Sequence, residues 1–167
     1  MNLKNFFPIG DPRLDDDHRR LELAIDVLAS SQAQDRLTAL HDLRQAAAAH
    51  FESEDADLSC MADGNAKCHV DEHAEVLKSL DEVRLELASP KRDEVFKAAL
   101  TRRLAEQLAD WLPMHVREID AALVKFRVAQ RFGGVPVTLA IRANTVVPGL
   151  IETLRASPSF PDGLLSP

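Results

Sequence analysis

Through its first 130 residues the chain repeats apolar side chains every three to four positions, the interval at which they share one face of an α-helix. Leu14, Leu21, Ile25 and Leu28 predict a helix over residues 16–30, and Leu40, Leu43 and Ala47 a second over 35–61. Val76, Leu80, Val83 and Leu87 predict a third over 67–88. Leu100, Leu104, Leu108, Trp111, Ile119 and Phe126 carry a fourth as far as Arg131. Punctuation agrees with this division. Asp63-Gly64-Asn65 reads as a turn, Ser89-Pro90 as an N-cap with proline at the first helical position, and Gly133-Gly134 as a stop. Each stripe has to be buried against another, and four such helices joined by short connections predict an all-α, antiparallel up-down-up-down four-helix bundle.

The bundle is expected over residues 1–134. Residues 135–167 remain apolar but are broken by Pro136, Pro148, Pro158 and Pro161, with one short helical stretch at 149–155. They read as an extension packed on the bundle, or serving a protein partner or self-association. The stretch Met1–Pro8 lacks the apolar core of a signal peptide, and no run approaches the roughly 20 apolar residues of a spanning helix. Cys60 and Cys68 are too few for a disulfide framework. The expectation is a soluble cytoplasmic protein with reduced thiols and no membrane contact. Twenty basic against 27 acidic residues, a formal charge of -7, argue against nucleic acid as a partner.

Polar residues interrupt the apolar stripes in a pattern. His50 and Glu54 stand four apart on the face of Leu43 and Ala47; His69 and His73 stand four apart in line with Val76 and Leu80. His115 follows Trp111 by four, and His18 lies between Leu14 and Leu21. Asp120 follows His115 by five, a spacing that turns it to one side of the stripe. His41 falls on the opposite face of its helix from Glu54 and is expected at the surface. A single histidine on an apolar face is commonly a satisfied core residue. Five of them with two carboxylates, spread over all four helices, are not, because burying that many ionisable groups without compensation costs several kcal/mol each. A bound cation removes the cost, since neutral imidazole and carboxylate are its ligands. Seven ligands exceed one tetrahedral zinc site and suit two octahedral ions sharing bridges, in a set richer in nitrogen than ferritin-like sites. No further acid, base or nucleophile is evident on the inner faces, and the absence of tyrosine excludes tyrosyl-radical or phenolic chemistry.

The ordered set His18, His50-Phe51-Glu52-Ser53-Glu54, His69-Val70-Asp71-Glu72-His73 and His115-Val116-Arg117-Glu118-Ile119-Asp120 resembles the hemerythrins, above all their single-domain bacterial forms. The resemblance runs from about Asp11 to Phe126 and includes Trp111 and the Asp15-Asp16-Asp17 approach to His18. It implies a centre of two non-haem iron ions with an oxo or hydroxo bridge, taking O2 as ligand. His69, His73 and His115 would hold one iron, His18 and His50 the other, and Glu54 and Asp120 would bridge them. Phe51, Trp111, Leu112 and Val116 match the apolar positions of the O2 pocket.

The expected function is reversible O2 binding for storage, delivery or scavenging, not enzymatic turnover. The competing readings are a di-iron enzyme acting on peroxide or nitric oxide, with weak peroxidase-type activity as a lesser form, and an O2 or redox sensor signalling through residues 135–167. Three features depart from the family pattern. Pro113, two residues before His115, removes the hydrogen bond to the Ala109 carbonyl and should kink or open the helix. The 42 positions from His73 to His115 extend the last two helices. Cys68 stands beside His69 and is expected to point away from the metal face.

Overall fold

The computed structural model describes residues 8–61 and 64–133. Five α-helices account for nearly all of them: α1 (Pro12–Ser30), α2 (Arg36–Leu58), α3 (Gly64–Ala88), α4 (Glu94–His115) and α5 (Ala121–Arg131). A π-helical turn, Val116–Asp120, joins α4 to α5, so that these three segments make the fourth rod of the bundle. The expected extension, 135–167, and its short helix, 149–155, lie outside the described residues.

Local chemistry sets the helix ends. Asp11 caps α1 by accepting from the amides of Arg13 and Leu14, and Pro12 occupies the first turn, where its missing N–H costs nothing. This helix therefore begins four residues earlier than the apolar pattern indicates. Asp15, 8% exposed, accepts from the amides of Ile9 and Gly10 at 2.8 and 3.3 Å and folds the incoming chain against α1. The second helix stops at Leu58, short of Met61, and α3 starts at Gly64, inside the expected turn. The fourth helix does not start at Ser89-Pro90. Ser89 Oγ accepts from Lys91 N, which makes a local turn, and Asp93 caps α4 instead, its carboxylate 2.7 Å from Phe96 N. At the far end Gly133 takes φ +70, the left-handed conformation of a helix stop, as its position predicts.

Two apolar layers fill the interior. The larger includes Leu21, Ile25 and Leu28 of α1, Leu40 and Leu43 of α2, Leu80 and Leu87 of α3, and Leu104, Leu108 and Leu112 of α4. The smaller joins Leu14, Leu58, Ala66 and Leu123. Along α1 the chain passes from the small layer to the large one, along α2 from large to small, and α3 and the α4–α5 rod repeat the alternation. The rods therefore run up, down, up and down. First and second rods pack together, as do second and third, third and fourth, and fourth and first. Every rod carries at least one buried histidine between the two layers.

Arg127 ties the far end of the fourth rod to the rest. Its guanidinium donates to Asp57 Oδ2 at 2.6 Å, Asp11 Oδ2 at 3.3 Å and the Ser53 carbonyl at 3.2 Å. Among the described residues no helix is long and apolar enough to cross a membrane.

Candidate metal centre

All seven residues singled out by their spacing are buried in the layer between the two apolar clusters. They form two groups that share Glu54: Glu54, His69, His73 and His115, and His18, His50, Glu54 and Asp120. Within each group one donor atom per residue lies within 4.8 Å of the others. His69 Nε2 and His73 Nε2 each stand 3.3 Å from His115 Nε2. Glu54 Oε2 faces His73 at 3.3 Å, His69 at 3.6 Å and His50 at 3.7 Å. Asp120 divides its oxygens: Oδ1 is 3.1 Å from both His69 Nε2 and His115 Nε2, while Oδ2 is 3.1 Å from His18 Nε2. Both carboxylates are fully buried and sit between the two sets of imidazoles.

The inward aim of Asp120 depends on the π-turn. In an α-helix a five-residue step rotates a side chain well off the face it started from. The wider turn at Val116–Asp120 absorbs the extra residue and returns Asp120 to the line of His115. Pro113 lies inside α4, and the helix widens just after it, as a proline that deprives Ala109 of its donor predicts.

Charge in this layer is unsatisfied by protein alone. Both oxygens of Glu54 and of Asp120, and both ring nitrogens of His18 and His50, are buried with no hydrogen-bond partner. Native interiors rarely leave such atoms orphaned without an ion or water to meet them. Burial pushes the His50 imidazole down to about 4 despite the nearby Glu54 carboxylate. Burial would raise Glu54, yet the neighbouring His69 and His73 imidazoles hold it at about 2. Burial likewise works against a charged His69, but Asp120 and Glu54 raise it to about 9. Asp120 is driven far below the carboxylate range, against burial, by His115, His18 and His69. Two anionic carboxylates among buried imidazoles form a cation-binding set, and five nitrogens with two carboxylates fit a di-iron site.

Other helices supply carboxylates that orient the imidazoles, and sequence spacing does not reveal them. Asp55 Oδ1 meets His73 Nδ1 at 2.8 Å. Glu72 meets His115 Nδ1 at 3.2 Å through one oxygen and accepts from Trp111 Nε1 at 2.8 Å through the other. In a metal site such partners fix ring orientation and raise ligand basicity. Neither lies on an apolar stripe, so periodicity passes over both. Glu22 corrects the expectation that the inner faces hold no further acid: it is half-buried and its Oε2 is buried without a partner. Its spacing of four from His18, which repeats that of Glu54 from His50, was the available signal.

Aromatic rings close the layer on the side of the larger core. Phe51 stacks on His73 with centroids 4.0 Å apart and an interplanar angle of 9°, and Trp111 lies 4.5 Å from the His115 ring. Phe51, Trp111 and Leu112, with Leu21, Ile25 and Leu108, enclose an apolar cavity of about 10 Å³. Val116 is buried in the same core but is not part of the cavity wall. His41 is exposed, and Cys60 and Cys68 are both exposed free thiols.

The sequence model of the hemerythrin HHE cation binding domain matches residues 10–126, which span the entire bundle layer just described. The chain belongs to the hemerythrin family. A curated relative, the bacteriohemerythrin of Ralstonia nicotianae (strain ATCC BAA-1114 / GMI1000), is 28% identical over 123 residues, which cover 74% of this chain and 85% of that protein. No solved structure gives a significant match. Membership of the hemerythrin family agrees with the cation-binding character of the donor set and with its place at the waist of a four-helix bundle.

Proposed function

We propose that this hemerythrin-family protein binds O2 reversibly at two non-haem iron ions, as a binder and not as an enzyme. His69, His73 and His115 would hold one ion, His18 and His50 the other, and Glu54 and Asp120 would serve both. The observation that carries the assignment is the convergence of seven buried side chains, four of which keep orphaned polar atoms turned toward a common space. Bound iron supplies the electrons and the open coordination position that O2 binding needs. Three imidazoles would serve one ion and two the other, so the side of His18 and His50 would leave room for an added ligand.

The protein's own residues set the conditions for binding without turnover. Asp55 and Glu72 hold His73 and His115 in the tautomer that presents Nε2 to the centre. Phe51, Trp111 and Leu112 line an apolar cavity on the side of the larger core. Its volume of about 10 Å³ is at the lower limit for one water-sized molecule. Apolar cavities of that kind stay dry, which favours a small uncharged gas. The name of the Ralstonia relative supports the same reading. A cytoplasmic location, the expectation from the sequence, is part of this proposal. Any signalling through residues 135–167 lies outside the described residues.

Metal analysis and the visible spectrum of the purified protein test the proposal together. Two irons per chain, and an oxygenated form that bleaches under vacuum and returns in air, are expected. Rapid oxidation with turnover of peroxide or nitric oxide would replace the binder reading with the enzymatic one.

A further inference from the structure

The two candidate iron positions differ in how their imidazoles are held. On the three-histidine side, His73 and His115 each give Nδ1 to a carboxylate. On the two-histidine side, His18 turns Nε2 toward Asp120, and its Nδ1 is buried with no hydrogen-bond partner. A metal-bound imidazole rarely leaves its second nitrogen unused, because a donor N–H buried without an acceptor is costly and leaves the ring free to rotate. One helical turn further along α1, Glu22 Oε2 is also buried without a partner.

We propose that Glu22 is the carboxylate that orients His18, accepting a hydrogen bond from Nδ1–H while Nε2 faces the metal. This makes Glu22 a positioning residue for the centre, and the inference rests on His18 being a ligand. Residues four apart on a helix have Cβ atoms about 5–6 Å from each other, and side chains lean toward the helix N-terminus. Glu22 therefore leans back over the turn that carries His18, and the proposal requires a side-chain rotation to close the pair. The half-buried position of Glu22 suits the role, since the carboxylate keeps some contact with water while one oxygen is inside. Burial and Asp26 push the Glu22 carboxyl up from its ordinary range, and the nearby His18 pulls it back down. His18 and Glu22 would then repeat, on the weaker side of the site, the imidazole–carboxylate pairing already built for His73 and His115.

The test uses the full, iron-loaded chain and the variants Glu22→Leu and Glu22→Gln. Iron content, the rate of iron release to a chelator, and the solvent-exchangeable imidazole N–H signals of the reduced protein are measured. Glu22→Leu should keep two irons, release one of them about tenfold faster, and lose one slowly exchanging N–H signal. Glu22→Gln should restore the release rate, because its carbonyl accepts the same bond. Its reduction potential should nevertheless rise relative to the unaltered protein, because the negative charge is gone. Unchanged release and N–H signals in Glu22→Leu would overturn the proposal. So would outright loss of one iron in both variants, which would make Glu22 a ligand in its own right. Fewer than two irons in the unaltered protein would instead sink the ligand assignment, and that result needs no variant.

Discussion

Asp120 Oδ1 lies 3.1 Å from His115 Nε2, although five residues separate them on one helical rod. The π-turn at Val116–Asp120 makes this contact, and it lets Asp120, like Glu54, reach both groups of imidazoles. A π-turn is equivalent to one residue inserted into an α-helix. Below it, Leu123 is fully buried and Arg127 is clamped to α2, so the register after the insertion is fixed.

Removing the exposed Glu118 should therefore convert the π-turn to ordinary α-helix and leave Asp120, Leu123 and Arg127 in place. Two metals per chain are expected to survive the deletion. Inserting an alanine after Ile119 should rotate Asp120 out and lower metal content. Metal analysis with far-ultraviolet circular dichroism distinguishes these outcomes, and loss of metal in the deletion variant would refute the register argument.

Asp120→Ala removes one of the two carboxylates that face both sets of histidines and should cut iron occupancy below two per chain. His50→Ala should weaken the second ion and with it oxygenation. His41→Ala, at the surface, should change neither. Retention of two irons and normal oxygenation by either of the first two variants would show the ligand set to be wrong.

Glu72 serves His115 and Trp111 at once. Glu72→Leu leaves an imidazole N–H and an indole N–H without their acceptor, so metal release to a chelator should accelerate roughly 10–100-fold. Trp111 is the chain's one tryptophan, and its fluorescence should shift in the same variant. Asp55→Ala, which removes only the acceptor of His73, should speed release without the fluorescence change.

The metal-free protein should show a stability maximum near pH 6.5. His69 is raised to about 9, so its contribution is complete below about 6.5 and fades as pH climbs through 9. His50 is lowered to about 4, so its neutral form favours folding above about 6.5, and that contribution fades as pH falls through 4. Bound metal takes the place of these protons, and the iron-loaded protein should melt at a nearly constant temperature between pH 6.5 and 9. Thermal melts of both forms across that range provide the measurement.

Arg127→Ala should destabilise the bundle by about 1–2 kcal/mol, since three hydrogen bonds between α5, α2 and the cap of α1 disappear together. Iron content should be little changed when the protein is folded. Loss of iron without loss of melting temperature would place Arg127 in the centre's chemistry instead.

Much of the fold is legible in the sequence because a stripe at helical spacing has only one economical solution when four occur in a row. Six of the seven inward polar residues are legible for the same reason, as Glu54 and His73, each one turn from a histidine on an apolar face, illustrate; Asp120 falls to one side of its stripe and is not. Helix ends are less so. Ser89-Pro90 carries a start signal as strong as that of Asp93, and what separates them is that Ser89 Oγ spends itself on Lys91 N while Asp93 reaches Phe96 N.

The sequence by itself determined which faces are buried and which donors lie on them, because both follow from periodicity along one helix. Tertiary structure alone decided how those donors meet. Asp55 reaches His73 across 18 residues and Glu72 reaches His115 across 43, distances over which no local spacing operates. Asp120 shares a rod with His115, yet its aim is set by a turn held between a buried layer above and the Arg127 clamp below. A helix dictates its own face, but only packing against its neighbours fixes its rotation and length.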